Sequence, residues 1–242
     1  MTMQKTSWRV RLGQAWRRDV QPLLALALVL FSLRSSLADW NDVPTGSMAP
    51  TVLIGDRIVV NKVAYDLKLP FTTVRLAQWA GPARGEIVVF YSPHDGRRLV
   101  KRVIGLPGDT IELRGNQLVI NAQPVSYDSL NEKALEDVSS ADRQRQQYAR
   151  ELLDERPHAV AAAPLSLARR DYGPTVVPEG HYFMMGDNRD ESFDSRYFGP
   201  VPRRQIIGRA EAVAFSLDRQ AGWVPRWART FHSLDKGLGD RR

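Results

Sequence analysis

The chain has 242 residues, 43% of them hydrophobic and 25% charged, with 17 Gly, 15 Pro and no Cys. That length suits one or two domains with a real core, and the composition excludes collagen-like, low-complexity and wholly disordered classes. The missing Cys excludes disulfide scaffolds, thiolate zinc sites, iron–sulfur clusters and a cysteine nucleophile, while the net charge of +7 raises the question of a nucleic-acid partner.

The charge distribution argues against one. Residues 1–40 hold six Lys/Arg (Lys5, Arg9, Arg11, Arg17, Arg18, Arg34) against Asp19 and Asp39, whereas the other 202 residues hold 28 bases and 25 acids. More than half of the excess thus lies in the N-terminal arm, a pattern of membrane topology rather than of nucleic-acid binding. Between Val20 and Trp40 the only formal charges are Arg34 and Asp39, and Leu23–Leu33 is apolar apart from Ser32. Residues 20–40 are therefore expected to span a bilayer, with Arg34 reaching the interface and Trp40 anchoring there. Residues 1–19 stay cytoplasmic and the rest crosses. The competing expectation is a cleavable signal peptide processed at Ser36-Leu37-Ala38.

Residues 41–125 read as β. Val52–Ile54 and Arg57–Val60 flank the turn Gly55-Asp56, Glu86–Tyr91 and Leu99–Ile104 follow, and Thr110–Leu113 and Gln117–Asn121 form a hairpin about Arg114-Gly115-Asn116. Such close spacing predicts antiparallel sheet rather than βαβ units. Residues 126–180 read as an insertion, with Ser139-Ser140 capping a helix to about Glu155, Tyr148 and Leu152 on one face, Pro157 as its stop, and Ala161–Ala163 in loop. Residues 181–217 return to strand at His181–Met185 and Ile206–Phe215, around a polar loop. In the aromatic and basic tail, 218–242, Trp223, Trp227 and Phe231 stand at helical spacing. They are read as core-packed aromatics of a helix, with an interfacial stripe as the alternative.

Three segments carry chemistry. Pro44-Thr45-Gly46-Ser47-Met48-Ala49-Pro50 presents a serine after a glycine, between stiffening prolines. Eight residues separate Asp39 from Ser47, at most about 26–29 Å of chain, so chemistry there lies close to a membrane surface. A serine nucleophile needs a base. None of His94, His158, His181 and His232 has neighbours suggesting a triad. Lys101 is the other candidate. Strand alternation puts Leu99, Lys101 and Val103 on one face and Val100, Arg102 and Ile104 on the other. A lysine among apolar neighbours is desolvated and becomes a usable base, yet local sequence alone favours the plainer arrangement, Arg102 buried and Lys101 solvated. Gly186–Arg196 is dense in polar groups. It is a surface turn, a metal loop, or a network that orients a buried amine. The EF-hand spacing fails, for want of Gly at the sixth position and Glu at the twelfth.

Together these segments resemble the type I signal peptidases, the leader peptidases of bacteria, membrane-bound serine proteases with a Ser/Lys dyad. Ser47-Met48-x-Pro50-Thr51 matches the family's nucleophile box. Lys101-Arg102-Val103-x-Gly105-x-Pro107-Gly108-Asp109 matches its lysine box, and Gly186-Asp187-Asn188-Arg189-x-x-Ser192-x-Asp194-Ser195-Arg196 its third signature. Arg84-Gly85-Glu86-Ile87-Val88-Val89-Phe90 looks like the preceding strand, with Glu where Asp is frequent. The matches fall in family order over roughly 40–125 and 180–215, and they reverse the preference on Lys101.

The resemblance implies a mainly β fold: an N-terminal transmembrane helix, then an antiparallel β-sheet catalytic domain with an inserted, partly helical segment. It implies Ser47 as nucleophile, Lys101 as general base, and an oxyanion hole from Thr45 and the Ser47 N–H. Ser192 would orient the lysine, Asp194 and Arg196 would form a supporting ion pair, and Asp187 would lie nearby. Val43, Pro44, Met48, Val52 and Val100 are the candidate pocket walls. No metal or other cofactor is implied. The implied partners are signal peptides of exported preproteins, cut after a small-x-small motif, and the bilayer of the inner membrane. The chain is expected to be a monomer with its catalytic part outside the cytoplasm. Two departures stand out: one span where many Gram-negative members have two, and an insertion that aligns with nothing. The rivals are a specialised pilin or conjugation peptidase, a self-cleaving cytoplasmic repressor, a tethered non-enzymatic β module, and a basic protein binding nucleic acid or anionic lipid.

Overall fold

The structure, a computed structural model, describes residues 16–26, 37–69, 72, 74–219 and 221–234. Residues 27–36 of the expected spanning segment and most of the basic arm lie outside the described residues. Among the described residues no helix is long and apolar enough to cross a membrane. The expectation for 20–40 needs one correction. Ala38–Asp42 is a strand (β1), so Ala38 and Trp40 belong to the folded domain rather than to a span.

In chain order the strands of the first half are β2 (Asp56–Asn61), β3 (Asp66–Lys68), β4 (Arg75–Gln78), β5 (Ile87–Tyr91), β6 (Arg98–Gly105), β7 (Thr110–Arg114) and β8 (Gln117–Ile120). The second half adds β9 (Gln123–Pro124), β10 (Tyr127–Asp128), β11 (Gln147–Glu151), β12 (His158–Ala162), β13 (Tyr172–Val176), β14 (His181–Met185), β15 (Val201–Pro202), β16 (Ile206–Asp218), β17 (Val224–Pro225) and β18 (His232–Ser233). A nine-stranded sheet runs β1-β2-β16-β5-β6-β14-β15, with β17 and β18 also paired to β16. Its strand pairs are antiparallel, as the close spacing predicts.

The central strand β5 explains the layering. Ile87 and Val89 enter one core with Val52, Ile58, Val60 and Val213. Val88 and Phe90 enter another with Tyr65, Val103, Met184 and Ile206. A strand buried on both faces reads as a continuous apolar run, and Ile87–Phe90 does. A third cluster, including Ile104, Ile111, Leu118 and Phe183, joins the sheet to the β7–β8 hairpin. There Arg114 pairs with Gln117, so the loop is Gly115-Asn116. Both loop residues have positive φ, the backbone that a two-residue hairpin requires.

The structure corrects three expectations. Val52–Ile54 is turn rather than strand, though Val52 and Leu53 are buried. In the insertion Ser139 does cap a helix, accepting from the Asp142 N–H, but the helix stops at Arg145. Gln147–Glu151 continues instead as β11 between β10 and β12, and β12 takes up Ala161 and Ala162, expected in loop. Helix propensity in this stretch gives way to strand pairing on both sides. In the tail, Trp223, Trp227 and Phe231 are exposed and join no core helix.

Arg229 holds the tail instead. It is 1% exposed, its guanidinium meets both Asp56 carboxylate oxygens at 3.2 and 2.6 Å, and it donates to the Thr51 carbonyl at 3.0 Å. Removing one member of a buried pair strands the other, so Arg229→Ala is expected to cost about 3 kcal/mol. Calorimetry should show the Tm falling by roughly 6–12 °C, while Trp227→Ala and Phe231→Ala stay within about 0.5 kcal/mol of the parent.

Candidate active site

Ser47 sits in a compact turn closed by Ala49 N–H to Gly46 O at 3.0 Å and Val52 N–H to Met48 O at 2.9 Å. The polar loop clamps this turn from the other side. Asn188 donates from its backbone to Ser47 O at 3.1 Å and from its amide to Gly46 O at 3.2 Å. Gly186 is where the two segments pass. A Cβ there would collide with the Ser47 carbonyl oxygen and the Ser192 hydroxyl.

Lys101, in β6 opposite Val88, reaches this turn, and its Nζ hydrogen-bonds Ser47 Oγ. The plainer arrangement, with Lys101 solvated, fails, because Lys101 and Arg102 are buried together at 2% and 3% exposure. Their surroundings differ. Arg102 has a carboxylate of its own, donating to Asp187 Oδ1 at 2.8 Å and Oδ2 at 2.7 Å. Lys101 forms no ion pair among the described residues. Burial pushes its amine down from the ordinary 10.5 to about 8, and the opposing pull of Asp194 and Asp187 does not restore it. At pH 8 such an amine is about half neutral, against about 0.3% at the ordinary value.

Both carboxylates are held by arginines. Asp194 and Arg196 are fully buried and pair through Nε–Oδ1 and Nη2–Oδ2, each at 2.9 Å. Asp194 also accepts from the Gly186 N–H at 3.0 Å. Burial alone would raise the Asp194 carboxyl, but Arg196 outweighs it and holds it below the usual range. Burial likewise opposes ionisation of Asp187, and Arg102 outweighs it. The expectation that Asp187 would accompany Asp194 and Arg196 is thus refined, since its guanidinium partner is Arg102.

The other expected residues divide. Val43, Met48 and Val52 are buried in one cluster against which Val100 packs, while Pro44 and Thr45 are exposed beside Ser47. Ser192 is brought to the site, but its hydroxyl is buried with no hydrogen-bond partner and makes no bond to the lysine. Sequence reasoning did not single out Thr51, whose hydroxyl donates to Asp187, or Asn188. It also missed a buried group supplied by the insertion. Glu151 on β11 accepts from Arg189 at 2.6 Å and from the Tyr127 hydroxyl at 2.6 Å. His158 Nε2 on β12 lies 3.3 Å from Glu151 and 3.9 Å from Asp187. Burial would raise the Glu151 carboxyl, but Arg189 and His158 drive it well below its ordinary value. Thr51, Arg102, Asn188 and Arg189 sat inside the matched boxes and were available to notice. Glu151 and His158 had no local signal, because only strand pairing brings them in.

A hydroxyl bonded to a desolvated amine, on a rigid polar scaffold, is the chemistry of acyl transfer through a serine. The comparisons agree. Residues 16–215 match the family model for signal peptidase, peptidase S26. Signal peptidase I of Pseudomonas aeruginosa is 35% identical over 86% of this chain and 75% of its own length. That of Pseudomonas fluorescens is 37% identical over 81% and 70% respectively. A solved signal peptidase I from Enterococcus faecalis is 35% identical, with 54% of this chain and 97% of that one covered and a TM-score of 0.32. The chain belongs to the signal peptidase family, peptidase S26.

Two predictions follow from the packing. Gly186→Ala forces the Ser47 turn and the polar loop apart, and a displacement of about 1 Å is expected to cost roughly 100-fold in kcat/KM with the chain still folded. Lys101→Met should raise stability. The Lys101 pKa is lowered on folding, so burying the amine costs stability below pH 8, and the cost fades as pH rises toward 10.5. Denaturant melts at pH 6.5 should show the variant more stable by about 3 kcal/mol, a gap that narrows above pH 8 and closes above the unfolded pKa of 10.5.

Proposed function

We propose that Ser47 is the nucleophile and Lys101 the general base of this signal peptidase, a serine endopeptidase that removes signal peptides from exported preproteins. The observation that carries the assignment is the Lys101–Ser47 hydrogen bond in a site where the amine is desolvated. Neutral Nζ takes the Ser47 proton as Oγ attacks the scissile carbonyl. The oxyanion forms within reach of the Ser47 N–H and the Thr45 hydroxyl. The Lys101 ammonium then protonates the leaving amine, which departs as the mature N-terminus and leaves an ester on Ser47. Lys101 next takes a proton from water as it attacks the ester, and returns that proton to Ser47 Oγ on collapse.

The open strand edges suggest how the substrate lies. β14 pairs with β6 only from Arg102 to Gly105, so Arg98–Lys101 keep that edge uncovered. β1, which leads into the Ser47 turn, has a strand neighbour on one side only among the described residues. An extended preprotein segment adds here as a strand. Val43, Met48, Val52 and Val100 floor the site beneath it and Pro44 stands at its rim, which suits small residues before the cut. The Asp194–Arg196 and Asp187–Arg102 pairs position the lysine. The segment ending at Leu37 anchors the chain in the inner membrane. Its eighteen residues from Val20 would reach about 27 Å as a helix, close to a bilayer core. The β domain, with 126–180 as its insertion, works as a monomer on the extracytoplasmic face.

The test is cleavage of a purified preprotein by the detergent-solubilised chain. Wild type should cut after the small-x-small site, with or without a chelator. Ser47→Ala and Lys101→Met, shown folded by their melts, should each lose at least about 1,000-fold. Undiminished cutting by either variant would remove the dyad.

A further inference from the structure

Away from Ser47, a cavity of about 550 Å³ opens between the β3–β4 ribbon and the ends of β2, β5, β6 and β16. Lys62, Lys68, Arg98 and Arg204 line it, and among the described residues no carboxylate does. Two carboxylates stand behind the wall. Asp39 meets Lys62 at 3.5 Å and Arg98 at 3.2 Å. Asp66 meets Lys68 at 3.2 Å, Arg75 at 2.8 Å and Arg203 at 2.9 Å. Five cations therefore meet two carboxylates, and three of them, Lys62, Lys68 and Arg98, line the cavity beside Arg204. Arg204 is exposed and makes no ion pair among the described residues. The wall also holds Gln205, whose side-chain oxygen is buried without a hydrogen-bond partner.

Two further observations narrow the ligand. The ribbon that supplies Val74 to the lining is apolar at its surface, with Leu69, Val74 and Leu76 44%, 57% and 59% exposed. The cavity also lies where the folded domain leaves the N-terminal segment, since the Lys62 N–H donates to Leu37 O at 2.9 Å. A ligand with an anionic phosphate, a hydroxyl for Gln205 and an apolar body matches all of these features.

We propose that this cavity binds the phosphodiester headgroup of an anionic glycerophospholipid, seating the domain on the membrane surface. The inference rests on the membrane-anchored reading above and adds a specific lipid class to it. The cations supply the charge-assisted contacts, Arg204 being the one free to turn toward the phosphate. Val74 and its neighbours meet the glycerol and upper acyl chains. Ser47 and Lys101 take no part.

The experiment is native mass spectrometry of the full chain in detergent, titrated separately with phosphatidylglycerol, phosphatidylcholine and inorganic phosphate. Wild type should retain phosphatidylglycerol over phosphatidylcholine, and Arg204→Glu should lower that retention at least about five-fold, the factor one cation contributes near an anionic headgroup. Arg114→Glu, the same charge change on the distant hairpin, should leave it unaltered, and Arg204→Lys should restore most of it. Equal retention of the two lipids, or an unaltered Arg204→Glu, would overturn the proposal. So would inorganic phosphate at millimolar concentration stripping the lipid, which would mark a free-anion site. Cleavage of a soluble preprotein, measured in the same detergent, should be the same for Arg204→Glu and wild type. Failure of wild type to cleave would count against the dyad and not against the lipid site.

Discussion

The structure turns on one costly arrangement, a lysine amine buried against a serine hydroxyl with no carboxylate paired to it among the described residues. A buried ammonium would normally recruit an anion, and two are nearby. Each is occupied. Asp194 is gripped by Arg196 and Asp187 by Arg102, through two hydrogen bonds apiece. The guanidiniums satisfy the carboxylates that would otherwise hold the lysine charged, and the amine stays near 8. A planar fork suits this task in a way that a second lysine would not, because it fills both carboxylate oxygens at once.

That arrangement needs a rigid frame, which explains how much polar structure is buried around so small a reacting centre. The Ser47 turn is held by Asn188 on one side and, through Thr51, by Asp187 and Arg229 on others. The insertion is part of this frame rather than an appendage. Its strands deliver Glu151 and His158 to Arg189 and toward Asp187, so residues far apart in sequence share one charge network. Half-satisfied groups remain at its centre, the Ser192 hydroxyl and His158 Nε2 among them. Unsatisfied groups of this kind are tolerated where geometry serves a reaction more than stability.

Much of this was legible in the chain. The β5 and β6 runs, the β7–β8 turn and the three polar segments announced themselves by apolar runs, turn residues and composition. Lys101 did not, because alternation alone leaves open which face is buried, and both are. The insertion misled for a physical reason: residues 140–155 are good helix formers, yet β10 and β12 pair with β11 and override local preference. The tail misled by coincidence of spacing, since Trp223, Trp227 and Phe231 are four apart but Trp223 and Phe231 have positive φ, which no helix contains. Arg229, between them, carries the attachment. The Ser192 bond to the lysine was expected from resemblance and is absent from the geometry.

The central claim concerns the charge on one nitrogen, so the most direct measurement observes it. In chain labelled at the lysine ε-carbon, an NMR pH titration with Lys101 assigned by comparison with Lys101→Met should give a midpoint near 8, set apart from the other lysines. A Lys101 resonance that titrates with them near 10.5 would show a charged amine at working pH, and the account of Ser47 activation would be wrong.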